Sequence, residues 1–156
     1  MAAPAYLLDT NILLRLSLPG GPYDEVVVSA VGRLVAEEAT LFYTLQNAAE
    51  FWNVCTRPRE RNGLGLPLPE TDRRLRLIEQ QFLFLPETEA TYARWRRIVM
   101  ECGVSGVQVH DARLAAVMSV NNVSHLLTLN PKDFDRFPGI TPIHPDDLRP
   151  RDTKQQ

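Results

Sequence analysis

The chain of 156 residues is long enough to bury a core as one domain, and its formal net charge is −2 at pH 7. A charge so close to zero excludes a whole-protein attraction to nucleic acid, so a polyanionic partner would need a local basic patch. The two cysteines, Cys55 and Cys102, have no metal or disulfide spacing, which predicts reduced thiols in the cytoplasm. No apolar run approaches the ~18 residues of a membrane span.

Short apolar segments alternate with helical patterns along the chain. Strands are predicted at Ala5–Leu8, Leu41–Tyr43, Phe82–Leu85, His125–Leu129 and Ile140–Ile143. Helices are predicted at Thr10–Leu18, Tyr23–Glu38, Leu45–Thr56, Glu70–Gln81, Thr88–Cys102 and Val109–Asn121. This alternation favours an α/β fold with a short, mainly parallel central sheet covered on both faces. We expect a single domain over residues 1–145 and a polar C-terminal tail over residues 146–156.

Acidic residues stand near the ends of the predicted strands. Asp9 directly follows the first strand, Glu50 lies in an apolar helix after the second, and Asp133 follows a later strand. Asp111 opens a helix that returns to the sheet. Each acid alone also suits a structural role, as a turn residue, a helix cap or part of a solvated helix face. Ligands of open α/β sheets gather outside the carboxyl ends of the strands, so we expect the acids to converge there.

A group of carboxylates at one place has a specific chemical meaning. Such groups repel one another and raise one another's pKa values unless a cation lies among them. Their hard oxygen atoms suit Mg²⁺ or Mn²⁺, which can activate water and neutralise charge on a phosphodiester during hydrolysis. The sequence offers no competing Ser/His/Asp or Cys/His arrangement and no glycine-rich phosphate loop.

Four segments, taken in order, resemble the successive motifs of the PIN-domain family. They read "YLLDTNILLRL", "NAAEFWNV", "HDARLAAVM" and "LLTLNPKDFDRFPGI". The likeness covers Tyr6 to Ile143 and is closest to the VapC-like ribonuclease toxins of prokaryotic toxin–antitoxin pairs. The resemblance implies a three-layer α/β/α fold and a Mg²⁺- or Mn²⁺-dependent endoribonuclease. It also implies a homodimer that a small cognate antitoxin inhibits.

The resemblance also implies roles for individual residues. It assigns three metal-site carboxylates: Asp9, Glu50 and Asp111. The fourth position departs from the common pattern, because Asn130 stands where many members have an acid and Asp133 follows three residues later. We expect Asn130 to offer a neutral oxygen to the metal and Asp133 to act in catalysis through water. Three neighbouring residues are expected to orient the site: Thr10, Asn11 and Thr128.

The arginine-rich segment Arg57–Pro69 has no helical or strand periodicity. Because it follows the helix that carries Glu50, its arginines are the expected contacts to RNA phosphates: Arg57, Arg59 and Arg61. The other arginine groups lie within predicted helices and are typical of solvated faces.

The sequence argues against two other classes of α/β protein. A phosphatase of the haloacid-dehalogenase type needs a second acid two residues after the first, and that position holds Asn11. A response-regulator receiver needs adjacent acids near its first strand. Two alternatives stay open: a non-catalytic RNA- or protein-binding PIN-like module, and a PIN nuclease that is not a toxin. The three intact acids count against the non-catalytic module.

Overall fold

The computed structural model describes residues 3–18, 20–21 and 24–148. Within them the strands are β1 (Ala5–Leu8), β2 (Thr40–Tyr43), β3 (Leu83–Phe84), β4 (His125–Leu127) and β5 (Thr141–Ile143). The helices are α1 (Thr10–Ser17), α2 (Asp24–Ala36), α3 (Leu45–Thr56), α4 (Leu68–Gln81), α5 (Glu89–Glu101) and α6 (Val109–Val120). Short 3-10 turns occupy Arg59–Arg61, Gly106–Gln108, Pro131–Asp133 and Pro145–Leu148.

The described strands form one parallel sheet in the order β3-β2-β1-β4-β5, which confirms the predicted fold class. In the register of the central strand, Tyr6 lies opposite Leu41 of β2 and His125 of β4. Leu7 and Leu8 are fully buried, as expected for a strand covered on both faces. Since all five strands run in one direction, their carboxyl ends meet at a single edge, which we call the C-terminal edge.

Two hydrophobic clusters cover the opposite faces of the sheet and complete the three layers. Leu8 packs in the cluster formed with residues of α1, α2, α3 and α4, such as Phe51 and Ile78. Leu7 packs in the other cluster, with residues of α5 and α6 such as Ile98 and Met118. The alternation of side chains along β1 therefore divides the helices into two layers.

The predicted elements are all present in the described residues, and the differences lie at their ends. The helix predicted to start at Tyr23 is seen from Asp24, and Tyr23 lies outside the described residues. Helix α4 begins at Leu68 because a proline is tolerated in the first turn, where its missing N–H needs no partner. The fourth strand ends two residues early because the Thr128 hydroxyl accepts the Asn130 N–H at 3.1 Å, which turns the chain.

The start of the predicted tail is part of the packed structure. The 3-10 turn Pro145–Leu148 lies against α2, with Pro145 buried and Leu148 packed on the core below that helix. The packed chain thus reaches at least Leu148, and residues 149–156 lie outside the described residues. None of the described helices is long and apolar enough to cross a membrane.

Candidate active site

Asp9 lies at the C-terminal edge, between β1 and α1, and its carboxylate has two roles. As the N-cap of α1, it accepts the Thr10 N–H through Oδ1 at 2.8 Å. Its second oxygen, Oδ2, accepts the Thr128 hydroxyl at 2.8 Å, across a separation of 119 positions in the chain. Burial raises the pKa of Asp9, the bonds from Thr128 and Thr10 lower it, and the charges of Glu50 and Asp133 raise it again.

Glu50 is held at the same edge by neutral donors on both sides of its carboxylate. The Thr10 hydroxyl donates to Oε2 at 2.9 Å, and the Gln46 side-chain amide donates to Oε1 at 3.3 Å. Helix α3, which carries Glu50, is fixed at its start by a capping box between Thr44 and Asn47. The helix therefore presents Glu50 inward, toward Thr10, and the solvated-face alternative does not apply to it.

Buried amide side chains support this arrangement. Asn47, which is fully buried, donates through Nδ2 to the Thr10 hydroxyl oxygen at 3.2 Å. Its Oδ1 accepts both the N–H and the hydroxyl of Thr44, each at 2.9 Å. The sequence analysis missed Asn47 and Gln46 as site residues. The Thr-x-x-Asn spacing at the start of a helix was the available signal for Asn47.

Asp111 stands in the first turn of α6 and faces the other acids. The N-cap position of that helix is occupied by Gln108, so capping does not explain the aspartate. Burial raises the pKa of Asp111 to about 6, together with the negative charges of Asp133, Asp9 and Glu50. The acids from four separate parts of the chain thus lie within electrostatic reach of one another.

The residues after β4 form the outer rim of the site. Asn130 precedes the 3-10 turn Pro131–Asp133, and both Asn130 and Asp133 have exposed side chains. The charge of Asp133 acts on both Asp9 and Asp111. Asn11 ties this segment to α1, because its Oδ1 accepts the backbone N–H of Leu129 at 3.3 Å.

The chemistry of the donor set suits a hard divalent cation. It consists of carboxylate oxygens, and its repulsion is the kind that a cation relieves. The acids nevertheless do not close around one point: within the described part of the chain, no group of three or more His, Cys, Asp or Glu side chains could hold a metal ion. Mg²⁺ usually takes only one or two carboxylates and keeps several waters, which is compatible with this open spacing.

The arginines expected to bind RNA differ in their environments. Arg57 is partly buried and its Nη2 donates to the Asn62 carbonyl at 3.0 Å, whereas Arg59 and Arg61 are exposed on a 3-10 turn. The basic side chain that lowers the pKa of Asp111 is Arg136, which the sequence analysis did not select. The only sequence signal for it was its position three residues after Asp133.

Arg136 is attached to the rim of the site by two contacts. Its Nη2 donates to the Gln108 side-chain oxygen at the start of α6, and its guanidinium lies 5.5 Å from the centre of the Phe137 ring. Both contacts leave the side chain exposed, so it can meet a polyanion that approaches the acids.

The fold and the acidic C-terminal edge define the class of the protein. It is a parallel α/β protein with a group of carboxylates, of the kind that suits a hard cation, at the carboxyl ends of its strands. The sequence matches the family model of the PIN domain over residues 6–140, and the chain belongs to that family. PIN domains are generally nucleases. No curated protein matches the chain significantly.

Solved structures share the fold. The complex "VapBC2 from Rickettsia felis bound to a DNA fragment from their promoter" contains a chain with TM-score 0.67 and 16% identity, covering 90% of this chain and 98% of its own. A chain of VapBC-1 from nontypeable Haemophilus influenzae matches with a TM-score of 0.66 and 19% identity, and the match covers 91% of this chain and 98% of that one. VapC20 from Mycobacterium tuberculosis, described as a sarcin-ricin loop cleaving toxin, matches with a TM-score of 0.53 and 14% identity. The match covers 78% of this chain and 86% of that one.

Proposed function

We propose that this PIN-domain protein is a Mg²⁺- or Mn²⁺-dependent endoribonuclease that acts in the cytoplasm as the toxin of a toxin–antitoxin pair. One observation carries the proposal: Asp111 is partly buried at the sheet edge that also holds Asp9, Glu50 and Asp133, and its burial together with those three charges raises its pKa to about 6. Arg136 offsets only part of the repulsion among these acids, which therefore costs the fold free energy, and a bound divalent cation reverses the sign of that interaction.

The proposed roles follow from the placement of each side chain. Asp9, Glu50 and Asp111 would hold the metal, one or two of them by direct contact and the rest through its bound waters, and Asn130 or Asp133 would complete the set from the rim. The bound ion would supply an activated water and neutralise charge on the phosphate. Asp133 would take a proton from an attacking water, and the support for this role is its exposure and the action of its charge on Asp9 and Asp111.

The surrounding residues of the chain prepare this site before any ligand arrives. The hydroxyl of Thr128 holds Asp9, and the hydroxyl of Thr10 holds Glu50. The bond from Thr128 favours the ionised form of Asp9 that a cation requires, and the bond from Thr10 orients Glu50. Asn11 keeps the rim segment next to α1.

The RNA would be held through its phosphates rather than its bases. Arg59 and Arg61 are exposed beyond the end of α3, Arg57 supports that loop through Asn62, and Arg136 lies at the acid cluster. Such contacts give affinity that depends on salt and not on sequence.

The proposed partner is a cognate antitoxin encoded beside the gene. The support is the fold shared with the toxin–antitoxin complexes from Rickettsia felis and Haemophilus influenzae. A short neighbouring reading frame with a DNA-binding pattern is the expected finding. Its product, produced together with this chain, should co-purify with it and suppress RNA cleavage. A neighbour that neither binds nor inhibits would contradict the toxin role while leaving the nuclease intact.

We further propose a homodimer. On the outer face of α5, Tyr92 and Met100 are 63% and 78% exposed. Exposed apolar surface of this kind gives a monomer no free energy of burial and often marks an interface. A two-fold pair is the commonest way to cover such a face. Light scattering at micromolar concentration should give about twice the chain mass of 17.7 kDa. A mass near 17.7 kDa at every concentration would refute the dimer.

The nuclease itself is tested with purified protein and a labelled single-stranded RNA. Cleavage is expected with Mg²⁺ or Mn²⁺ and is expected to stop on chelation with EDTA. Cleavage that continues unchanged in EDTA would exclude the metal mechanism. RNA binding without cleavage under any metal would favour the non-catalytic PIN-like module.

A further inference from the structure

Gln46 connects the two helices that carry Glu50 and Asp111. It lies in the first turn of α3 and is 6% exposed. Its Nε2 donates to the backbone carbonyl of His110 at 2.9 Å and to Glu50 Oε1 at 3.3 Å. Because both neighbours are acceptors, the end of the side chain between them has to be the NH₂ group. The bond to His110 therefore fixes the peptide immediately before Asp111.

This connection crosses the sheet from one layer to the other. Helix α3 packs through Phe51 in the cluster on one face, and α6 packs through Met118 in the cluster on the opposite face. No single hydrophobic cluster therefore contains both helices where they approach each other at the C-terminal edge. The Gln46 side chain bridges them there, at the point where each helix presents an acid.

Packing alone does not explain a glutamine at this position. Its Oε1 is buried and has no hydrogen-bond partner among the described residues, which costs free energy that an apolar side chain of similar size would avoid. Glu50 and Asp111 also carry like charges when both are ionised, and like charges repel. The hydrogen bond from Gln46 to the His110 carbonyl joins the two helices and opposes the separation that this repulsion favours.

We propose that Gln46 is a positioning residue that sets the distance between Glu50 and Asp111 so that both acids face the same divalent cation. The inference rests on the proposed function, because it assigns a role within the same metal-dependent site. Gln46 acts through Glu50 and through the His110 peptide and does not itself contact the cation. Removing its NH₂ group should then weaken metal binding without disturbing the RNA-binding surface.

The test replaces Gln46 by methionine, which keeps the volume and removes both hydrogen bonds. Its matched control is Gln80→Met, on the exposed face of α4. Mn²⁺ binding is measured on the purified full chain by the loss of the free-ion EPR signal. The dissociation constant of Gln46→Met should rise about 10-fold or more, as for outer residues that orient metal ligands. The kcat should fall in parallel while the KM for RNA stays within about twofold, and Gln80→Met should match wild type.

A second readout follows the metal-free protein. Hydrogen exchange of the backbone amides in the first turn of α6, residues 109–112, should be faster in Gln46→Met than in wild type. If Gln46→Met folds poorly, Gln46→Asn serves with the same measurements, since its shorter side chain keeps the amide but cannot reach both acceptors.

Wild-type Mn²⁺ affinity and kcat in a folded Gln46 variant would overturn the inference, even if its melting temperature fell. That result differs from failure of the proposed function. If the wild-type protein itself neither binds Mn²⁺ nor cleaves RNA, the nuclease proposal is refuted, and the role of Gln46 within it falls too.

Discussion

The acids of α4 and the acids of the C-terminal edge have opposite surroundings. Glu70 on α4 accepts a hydrogen bond from Arg73 at 2.7 Å and lies 2.9 Å from Arg74 Nε in an ion pair, and these arginines lower its pKa. Asp111 lies near other carboxylates instead, and its burial, together with the charges of Asp133, Asp9 and Glu50, raises its pKa to about 6. The same chemical group is thus neutralised by its neighbours in one region and left in repulsion in the other.

This contrast distinguishes acids that form ion pairs on a helix surface from acids that we propose bind a cation. The pairs on α4 join residues three or four positions apart, so they follow directly from helical spacing. At the C-terminal edge, Thr10 and Glu50 are 40 positions apart, and Thr128 and Asp9 are 119 apart. The fold has to assemble these groups, and the proposed cation would offset their repulsion.

The largest expected effect comes from Asp9→Asn. Loss of one metal carboxylate should remove several kcal/mol of transition-state stabilisation, which lowers the rate of RNA cleavage on the order of 10³-fold. The fold should survive, because asparagine also caps helices well and the change removes a buried charge. Cleavage rates and circular dichroism measure the two outcomes.

The matched control for this change is Asp72→Asn, in the ion pair with Arg76 on α4, which should keep full activity. Full activity of purified Asp9→Asn would exclude Asp9 from the site.

A smaller effect should distinguish the two candidates for the fourth ligand. Asp133 acts on the pKa of both Asp9 and Asp111, whereas the hydrogen bond of Asn130 to Thr128 uses only its backbone. Asp133→Ala should therefore weaken Mn²⁺ binding by about 10-fold, and Asn130→Ala by less. Calorimetric titration with Mn²⁺ ranks the two variants. An Asn130→Ala loss as large as that of Asp9→Asn would show that the amide is essential.

A several-fold effect is expected for the arginine at the rim. If Arg136 contacts a phosphate, Arg136→Ala should weaken RNA binding and reduce the slope of log affinity against log salt by about 0.7. Arg94→Ala, on the exposed face of α5, is the control of equal charge. RNA affinity is measured at several salt concentrations with each arginine change combined with Asp9→Asn, so that no cleavage occurs during the measurement. Equal slopes for Arg136→Ala and wild type would remove Arg136 from the interface and leave Arg59 and Arg61 as the candidates.

The smallest effect concerns stability in the absence of metal. Since the pKa of Asp111 is raised from 3.8 to about 6, the folded state holds its proton more tightly than the unfolded state. Its contribution to the free energy of unfolding is therefore present at about pH 4 and lost as the pH rises through about 6. Asp111→Asn should be about 1 kcal/mol more stable than wild type at pH 7, after allowance for partial exposure, and equal to it at pH 4.

The comparison variant on α4 should behave with the opposite sign. The pKa of Glu70 is lowered, so its stabilising contribution is present at neutral pH and is lost as the pH falls through its folded pKa. Glu70→Gln should be less stable than wild type at pH 7 and equal to it in acid. Urea unfolding at several pH values measures both series, and parallel pH profiles for the two variants would contradict the contrast between the regions.

The sequence by itself determined the elements and the edge at which the acids meet. Leu45–Thr56 was predicted as a helix and is α3, because the spacing of its apolar residues is a local property of the chain. The position of Asp9 after a buried strand likewise followed from local pattern, since parallel strands end at one edge.

Only the tertiary structure decided which groups touch across that edge. The bond from Gln46 to the His110 carbonyl spans 64 positions and joins helices from opposite layers, and Arg136 reaches the start of α6 over 28 positions. Hydrophobic periodicity specifies which face of a helix is buried, but it does not specify which side chain stands opposite. The partners of Gln46 and Arg136 depend on how the two layers close over the sheet, and that geometry exists only once both cores have packed.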